Sequence, residues 1–135
     1  MNLIKQEDPF GCGIACVASI LKINYKTALS LFLDGRRKAT ETGFYCREII
    51  EALENNGLKY EYKYLKSKTR KNMYKPGAIV FLRRSKRYPD GHYLTRSDNI
   101  WLDSWINFPS EEMKSGFRKR LPEKPIYVIY PVTTI

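Results

Sequence analysis

The 135-residue chain is poor in the residues that build metal centres and cross-linked frameworks. It has one histidine and three cysteines, an odd number with no C-x-x-C spacing, so neither a disulfide scaffold nor a four-ligand zinc site is expected. No cofactor is expected either. Its longest weakly polar run, residues 11–21, falls well short of the roughly 20 apolar residues that cross a bilayer. The opening segment carries Lys5, Gln6, Glu7, Asp8 and Pro9, which is incompatible with the apolar core of a secretory signal. A free-thiol chain without such a signal is expected in the cytoplasm, where thiols stay reduced. No repeat or low-complexity stretch divides it.

Acidic residues are also scarce, 14 against 24 Lys and Arg, for a net charge of +10. Such an excess attracts acidic peptides and proteins, nucleic acid or anionic lipid, although most of it is accounted for by a solvated basic surface. A composition that is 43% hydrophobic and 13% aromatic excludes a disordered or fibrous protein. At this length a core can be buried without staples, and one domain spanning residues 1–135 is expected.

Helical patterns come first. Residues 12–22 are apolar or small on every side, as in a helix buried all round. Residues 26–33 read as a shorter helix, and Arg36-Arg37-Lys38 as a loop. Between 44 and 55, Cys46, Ile49, Ile50 and Leu53 recur at helical spacing and Asn56-Gly57 supplies the stop. The period then changes. Tyr60, Tyr62 and Tyr64 alternate with Glu61 and Lys63 as in a half-buried strand, and 78–82 is a short apolar strand after Pro76-Gly77. Residues 92–95 and 100–103 flank Asp98-Asn99 as a hairpin, and 126–130 between two prolines makes a last strand. Segments 66–75 and 109–125 receive no functional assignment. Helices followed by antiparallel strands define an α+β class.

Cys12 follows Pro9-Phe10-Gly11 and opens the buried helix, where unpaired N–H groups and the helix dipole favour a thiolate. Gly11 and Gly13 beside it would allow a substrate to approach the backbone. Cys16 and Cys46 lie on apolar helix faces and are explained by packing. A base for a nucleophilic thiol is an imidazole within hydrogen-bond reach, oriented by a third polar group. His92 is the sole candidate. Asp103 is the natural orienting acid because the hairpin carries it alongside His92, whereas turn chemistry accounts for Asp90 and Asp98. Gln6 is in a position to donate its amide to an oxyanion together with the Cys12 N–H.

Gln6, the run Cys12-Gly13-Ile14-Ala15-Cys16 opening a helix, then His92 and Asp103 in that order resemble the papain-like cysteine peptidases. More closely, Gln6 followed after five residues by Cys12-Gly13-Ile14-Ala15 resembles the peptidase C39-like group, which removes double-glycine leaders from bacteriocins. Thr42-Gly43-Phe44 through Gly57-Leu58-Lys59, Gly77-Ala78-Ile79-Val80-Phe81 and Gly91-His92-Tyr93-Leu94 extend the similarity over most of residues 3–108. The resemblance implies an α+β papain-like fold and hydrolysis of a peptide or amide bond through a thioester. It implies that Cys12 is the nucleophile, His92 the base, Asp103 the orienting acid and Gln6 the oxyanion donor, acting on a peptide or protein substrate. Deamidation or acyl transfer would use the same intermediate. The competing expectation is a non-catalytic basic protein on the same fold, binding nucleic acid or an acidic protein through Tyr60, Tyr62, Tyr64 and the 83–88 segment.

Overall fold

A computed structural model describes residues 1–132. Helix α1, Cys12–Leu21, is followed by α2, Tyr25–Leu29, α3, Gly35–Glu41, and α4, Cys46–Glu54. Strands β1, Tyr60–Tyr64, β2, Ile79–Leu82, β3, His92–Arg96, β4, Trp101–Asp103, β5, Gly116–Arg118, and β6, Pro125–Pro131, complete the chain, with a 3₁₀ turn at Arg70–Tyr74 between β1 and β2. The six strands form one antiparallel sheet in the order β1-β6-β2-β3-β4-β5. The α+β class read from the sequence is the class observed.

Local chemistry explains the helix ends. Lys22 takes the left-handed conformation that closes α1, and Asn24 Oδ1 accepts from the Thr27 N–H at 2.8 Å to open α2. Glu48 reaches back from α4 to the Tyr45 N–H at 2.9 Å, satisfying a donor that helix geometry leaves without a partner.

Alternation along the strands sends side chains to two cores. Ile79, Tyr93 and Ile129 pack against Ile14, Val17, Ala18, Ile49 and Leu53 of the helices. On the other face Val80, Leu82, Leu94, Val128 and Tyr130 pack with Met73, Tyr88 and Trp101. Both sheet faces are therefore covered, and α1 is buried from Gly13 to Ser19, as its all-round apolar sequence requires.

Three expectations need correction. The basic run at 36–38 belongs to α3 and is not a loop: buried Gly35 and Ala39 sit four residues apart on the core side while Arg36 and Arg37 stay exposed, with Arg37 paired to Asp34 at 2.5 Å. The helix expected over 26–33 shortens to α2, because Leu31 and Phe32 continue in turns. In β1 only Tyr60 is buried, while Tyr62 and Tyr64 are 42% and 62% exposed on an edge strand of the sheet.

Candidate active site

The Cys12 side chain leaves the first turn of α1, whose N-cap, Gly11, supplies no side chain to occupy the free N–H groups. The glycines here serve packing more than substrate approach. A Cβ on Gly11 would lie 1.9 Å from the Tyr25 hydroxyl, and one on Gly13 3.0 Å from Ile49 Cδ1. Tyr25 in turn donates to Asp8 Oδ2 at 2.7 Å, tying the segment that precedes Cys12 to α2.

Across the groove, α1 packs on β3, and the first residue of β3 is His92. The turn before it needs Gly91 at φ +74°, where an added Cβ would strike the Phe81 ring at 2.1 Å. The Cys12 sulfur accepts from the N–H of Tyr93, the residue after His92, at 3.4 Å, and Cys12 and His92 both line the same groove. His92 Nε2 lies 2.7 Å from Asp103 Oδ1. Tyr88 stacks on the imidazole with centroids 5.0 Å apart and planes 10° from parallel, fixing the ring's tilt.

Asp103 is fully buried yet has three donors. His92 and the Trp105 N–H (3.0 Å) share Oδ1, and Arg118 Nε donates to Oδ2 at 2.7 Å. Burial alone pushes the carboxyl up, but the hydrogen bond and charge of His92, with Arg118 and the Trp105 N–H, hold it below the usual carboxylate range. Burial likewise pulls the His92 imidazole down, and it is outweighed by the hydrogen bond to Asp103 and by the neighbouring Cys12 and Asp103 groups, which push it up to about 9. Burial pushes the thiols of Cys16 and Cys46 up, so both are less available as nucleophiles.

Gln6 is 1% exposed. Its Nε2 donates to the Asp8 carbonyl at 2.9 Å and, more weakly, towards that of Pro9 at 3.4 Å. Its Oε1 accepts from Ser104 Oγ at 2.8 Å, while its backbone N–H donates to the Ser104 carbonyl at 3.1 Å. The four residues singled out in the sequence thus gather at one end of the sheet: Cys12 beside His92 in the groove, His92 bonded to Asp103, and Gln6 laced to the residue after Asp103. Asp90 lines the groove, and Asp98 lies in the β3–β4 turn.

Sequence reading missed Arg118, Ser104 and the Tyr88 stack. Arg118 sits in a segment whose pattern suggested no strand. It reaches Asp103 because β5 pairs with β4, bringing Gly116 opposite Asp103 and Arg118 opposite Trp101. A groove of about 1130 Å³ opens over Cys12 and His92, with Phe44, Tyr45, Tyr62, Tyr64 and Tyr127 along one arm and Trp105 and Phe108 at the other. Among the described residues no cluster of His, Cys, Asp and Glu could hold a metal ion, and no helix is long and apolar enough to cross a membrane.

Neither a protein-family model nor a curated protein matches the sequence. Solved structures do. The peptidase domain of Streptococcus ComA, a bi-functional ABC transporter involved in a quorum-sensing pathway, superposes with a TM-score of 0.55 at 22% identity, over 98% of both chains. The chain has the fold of the ComA peptidase domain. The Streptococcus mutans ComA peptidase domain agrees, with a TM-score of 0.51 at 22% identity over 98% of this chain and 100% of that one. The α+β fold anticipated from the sequence, helices packed on an antiparallel sheet, is therefore the fold found, shared with the ComA peptidase domains.

Proposed function

We propose that the protein is a cysteine peptidase in which Cys12 attacks a peptide carbonyl. The observation that carries this reading is that Cys12 and His92 line one open groove while His92 Nε2 lies 2.7 Å from the buried Asp103 carboxylate behind it. An imidazole with a pKa near 9 is protonated at neutral pH, so it carries the proton that a departing amine needs.

The thiolate adds to the carbonyl carbon, and the negative charge passes to oxygen. The free N–H groups at the α1 terminus, among them that of Cys12, are the fixed donors for that oxyanion. Gln6 joins them when its weak 3.4 Å contact with Pro9 gives way, the Asp8 and Ser104 contacts keeping its amide oriented. Collapse breaks the C–N bond, the His92 imidazolium protonates the departing amine, and a thioester remains on Cys12. Water then gives a proton to His92 and attacks the thioester, releasing the carboxylate product and the thiol. Asp103 keeps the ring oriented and its charge compensated throughout. Deamidation of a glutamine would follow the same path with ammonia as leaving group. The substrate is a peptide or protein segment able to lie in the groove, acidic ones being favoured by the +10 charge, and the free thiols suit a reducing, cytoplasmic setting.

Turnover of a fluorogenic peptide selected from a mixed-sequence library tests the reading. Cys12→Ala and His92→Ala are each expected to abolish it while leaving the far-UV circular dichroism unchanged. Activity surviving in either variant removes that residue from the mechanism.

A further inference from the structure

Two loops at the His92 end of the sheet are joined to one another and carry most of the local charge. The β2–β3 loop, residues 83–91, and the β5–β6 loop, residues 119–124, are held together by Arg83 N–H to the Lys124 carbonyl at 2.9 Å. Arg87 Nη1 adds a bond to the Pro122 carbonyl at 3.4 Å, and Arg83 pairs with Glu123 at 3.0 Å. Beyond that pair, Arg84, Lys86, Arg87, Lys119, Arg120 and Lys124 are all exposed, and none has an ion-pair partner among the described residues. Arg87 is engaged in the clamp and lies over the Tyr88 ring at 5.5 Å, but nothing in the triad or the groove floor requires the other five unpaired cations on these two loops. Like charges brought together repel, so the arrangement costs stability unless an anion relieves it.

This ledge adjoins the site. Arg84, Asp90 and Gly91 line the groove beside His92, and Tyr88 of the same loop stacks on the imidazole. We propose that the ledge is an exosite for an acidic stretch of the substrate protein, which crosses the two loops and enters the groove past Arg84. The inference rests on the peptidase reading for its occupant. Peptide carboxylates suit it better than nucleic acid because the aromatic side chain of the basic loop, Tyr88, is 1% exposed and committed to His92, and offers no face to a base. The exosite acts on binding, through steering and screened contacts, and not on the chemical step.

The test is fluorescence anisotropy of Cys12→Ala protein with a labelled glutamate-rich peptide, its glutamine counterpart, and a single-stranded oligonucleotide of equal charge. The glutamate peptide should bind about tenfold or more tightly than the glutamine one, with affinity falling as salt rises. In a ledge variant, Lys86→Gln, Lys119→Gln, Arg120→Gln and Lys124→Gln together, that preference should be lost. A control with the same loss of charge elsewhere, Lys26→Gln, Lys59→Gln, Lys68→Gln and Lys71→Gln, should change affinity less than about threefold. Equal binding of the two peptides, equal loss in both variants, or an oligonucleotide that outcompetes the acidic peptide on the ledge would each overturn the proposal. Alkylation of Cys12 by uncharged iodoacetamide, measured in a ledge variant that retains the cysteine, should stay within about twofold of the unmodified protein. A ledge that binds acid beside an inert Cys12 sinks the peptidase reading, and with it the ledge's role as an exosite, but leaves its acid binding standing; a reactive Cys12 without charge discrimination overturns the exosite and spares the peptidase reading.

Discussion

Replacing Arg118 with alanine removes the guanidinium that donates to Asp103 Oδ2 at 2.7 Å and strands one oxygen of a fully buried carboxylate. Arg118 itself is 18% exposed, so the ion pair is largely sheltered from solvent screening. Losing one charge-assisted hydrogen bond to a buried group costs about 1.5–3 kcal/mol, and the second bond from Arg118 to the Ile106 carbonyl at 3.1 Å goes with it. We expect a loss near 2 kcal/mol at neutral pH, or roughly 8 °C in Tm for a chain of this size. The pH dependence follows from Asp103. Its folded-state pKa lies below the ordinary value, so the stability it contributes is present above about 3.9 and disappears as pH falls through the folded value. The gap between Arg118→Ala and the unmodified protein should therefore be full at pH 7 and shrink in acid. Urea denaturation at pH 7 and near pH 3 measures it, and a cycle with Asp103→Asn should return about 2 kcal/mol of coupling. A gap of equal size at both pH values, or two single losses that simply add, would refute the role given to Arg118.

Other outcomes follow from the same geometry. Because the His92 pKa is raised to about 9, the stability from its charged form is complete below the unfolded value of about 6.5 and is lost as pH rises through about 9. The alkaline limb of kcat/KM should accordingly fall near 9, and a limb near 6.5 would contradict the ion-paired state. Ser104→Ala should lower kcat about tenfold with KM little changed, because it loosens the Gln6 carboxamide; a loss confined to KM would show that Ser104 serves binding instead. Gly11→Ala should cost about 2 kcal/mol or more in a urea melt through the clash with the Tyr25 hydroxyl, and markedly less in a Tyr25→Leu background. Equal costs in the two backgrounds would place the strain elsewhere.

Much of the candidate site's placement was readable from the chain because its signals are local or ordinal. A glycine-flanked cysteine at the head of an all-apolar helix needs no tertiary knowledge, and a lone histidine followed by an aspartate across a tight hairpin restricts the pairing to very few arrangements. Helix α4 and strands β2, β3, β4 and β6 were equally plain, since one period dominates each. What stayed hidden depends on contacts between distant segments. The helix at Gly35–Glu41 is announced only by two small residues that become buried once α2 and Phe10 are in place, and a run of arginines masks it. β5 is three residues long with one side exposed, so Arg118 looked like part of a basic loop until pairing with β4 carried it to Asp103. Ser104 gave no signal either, its partner Gln6 lying 98 residues away.

The central claim is that Cys12 is made nucleophilic by His92, and site-resolved alkylation kinetics test it most directly. Mass mapping of iodoacetamide adducts against time, from pH 5 to 10, should show Cys12 modified well ahead of Cys46 and Cys16 at neutral pH. His92→Ala should slow the Cys12 rate at pH 7 by about tenfold or more and leave the other two thiols unchanged. A Cys12 rate at pH 7 no faster than that of Cys46, or one unaffected by His92→Ala, would contradict the account.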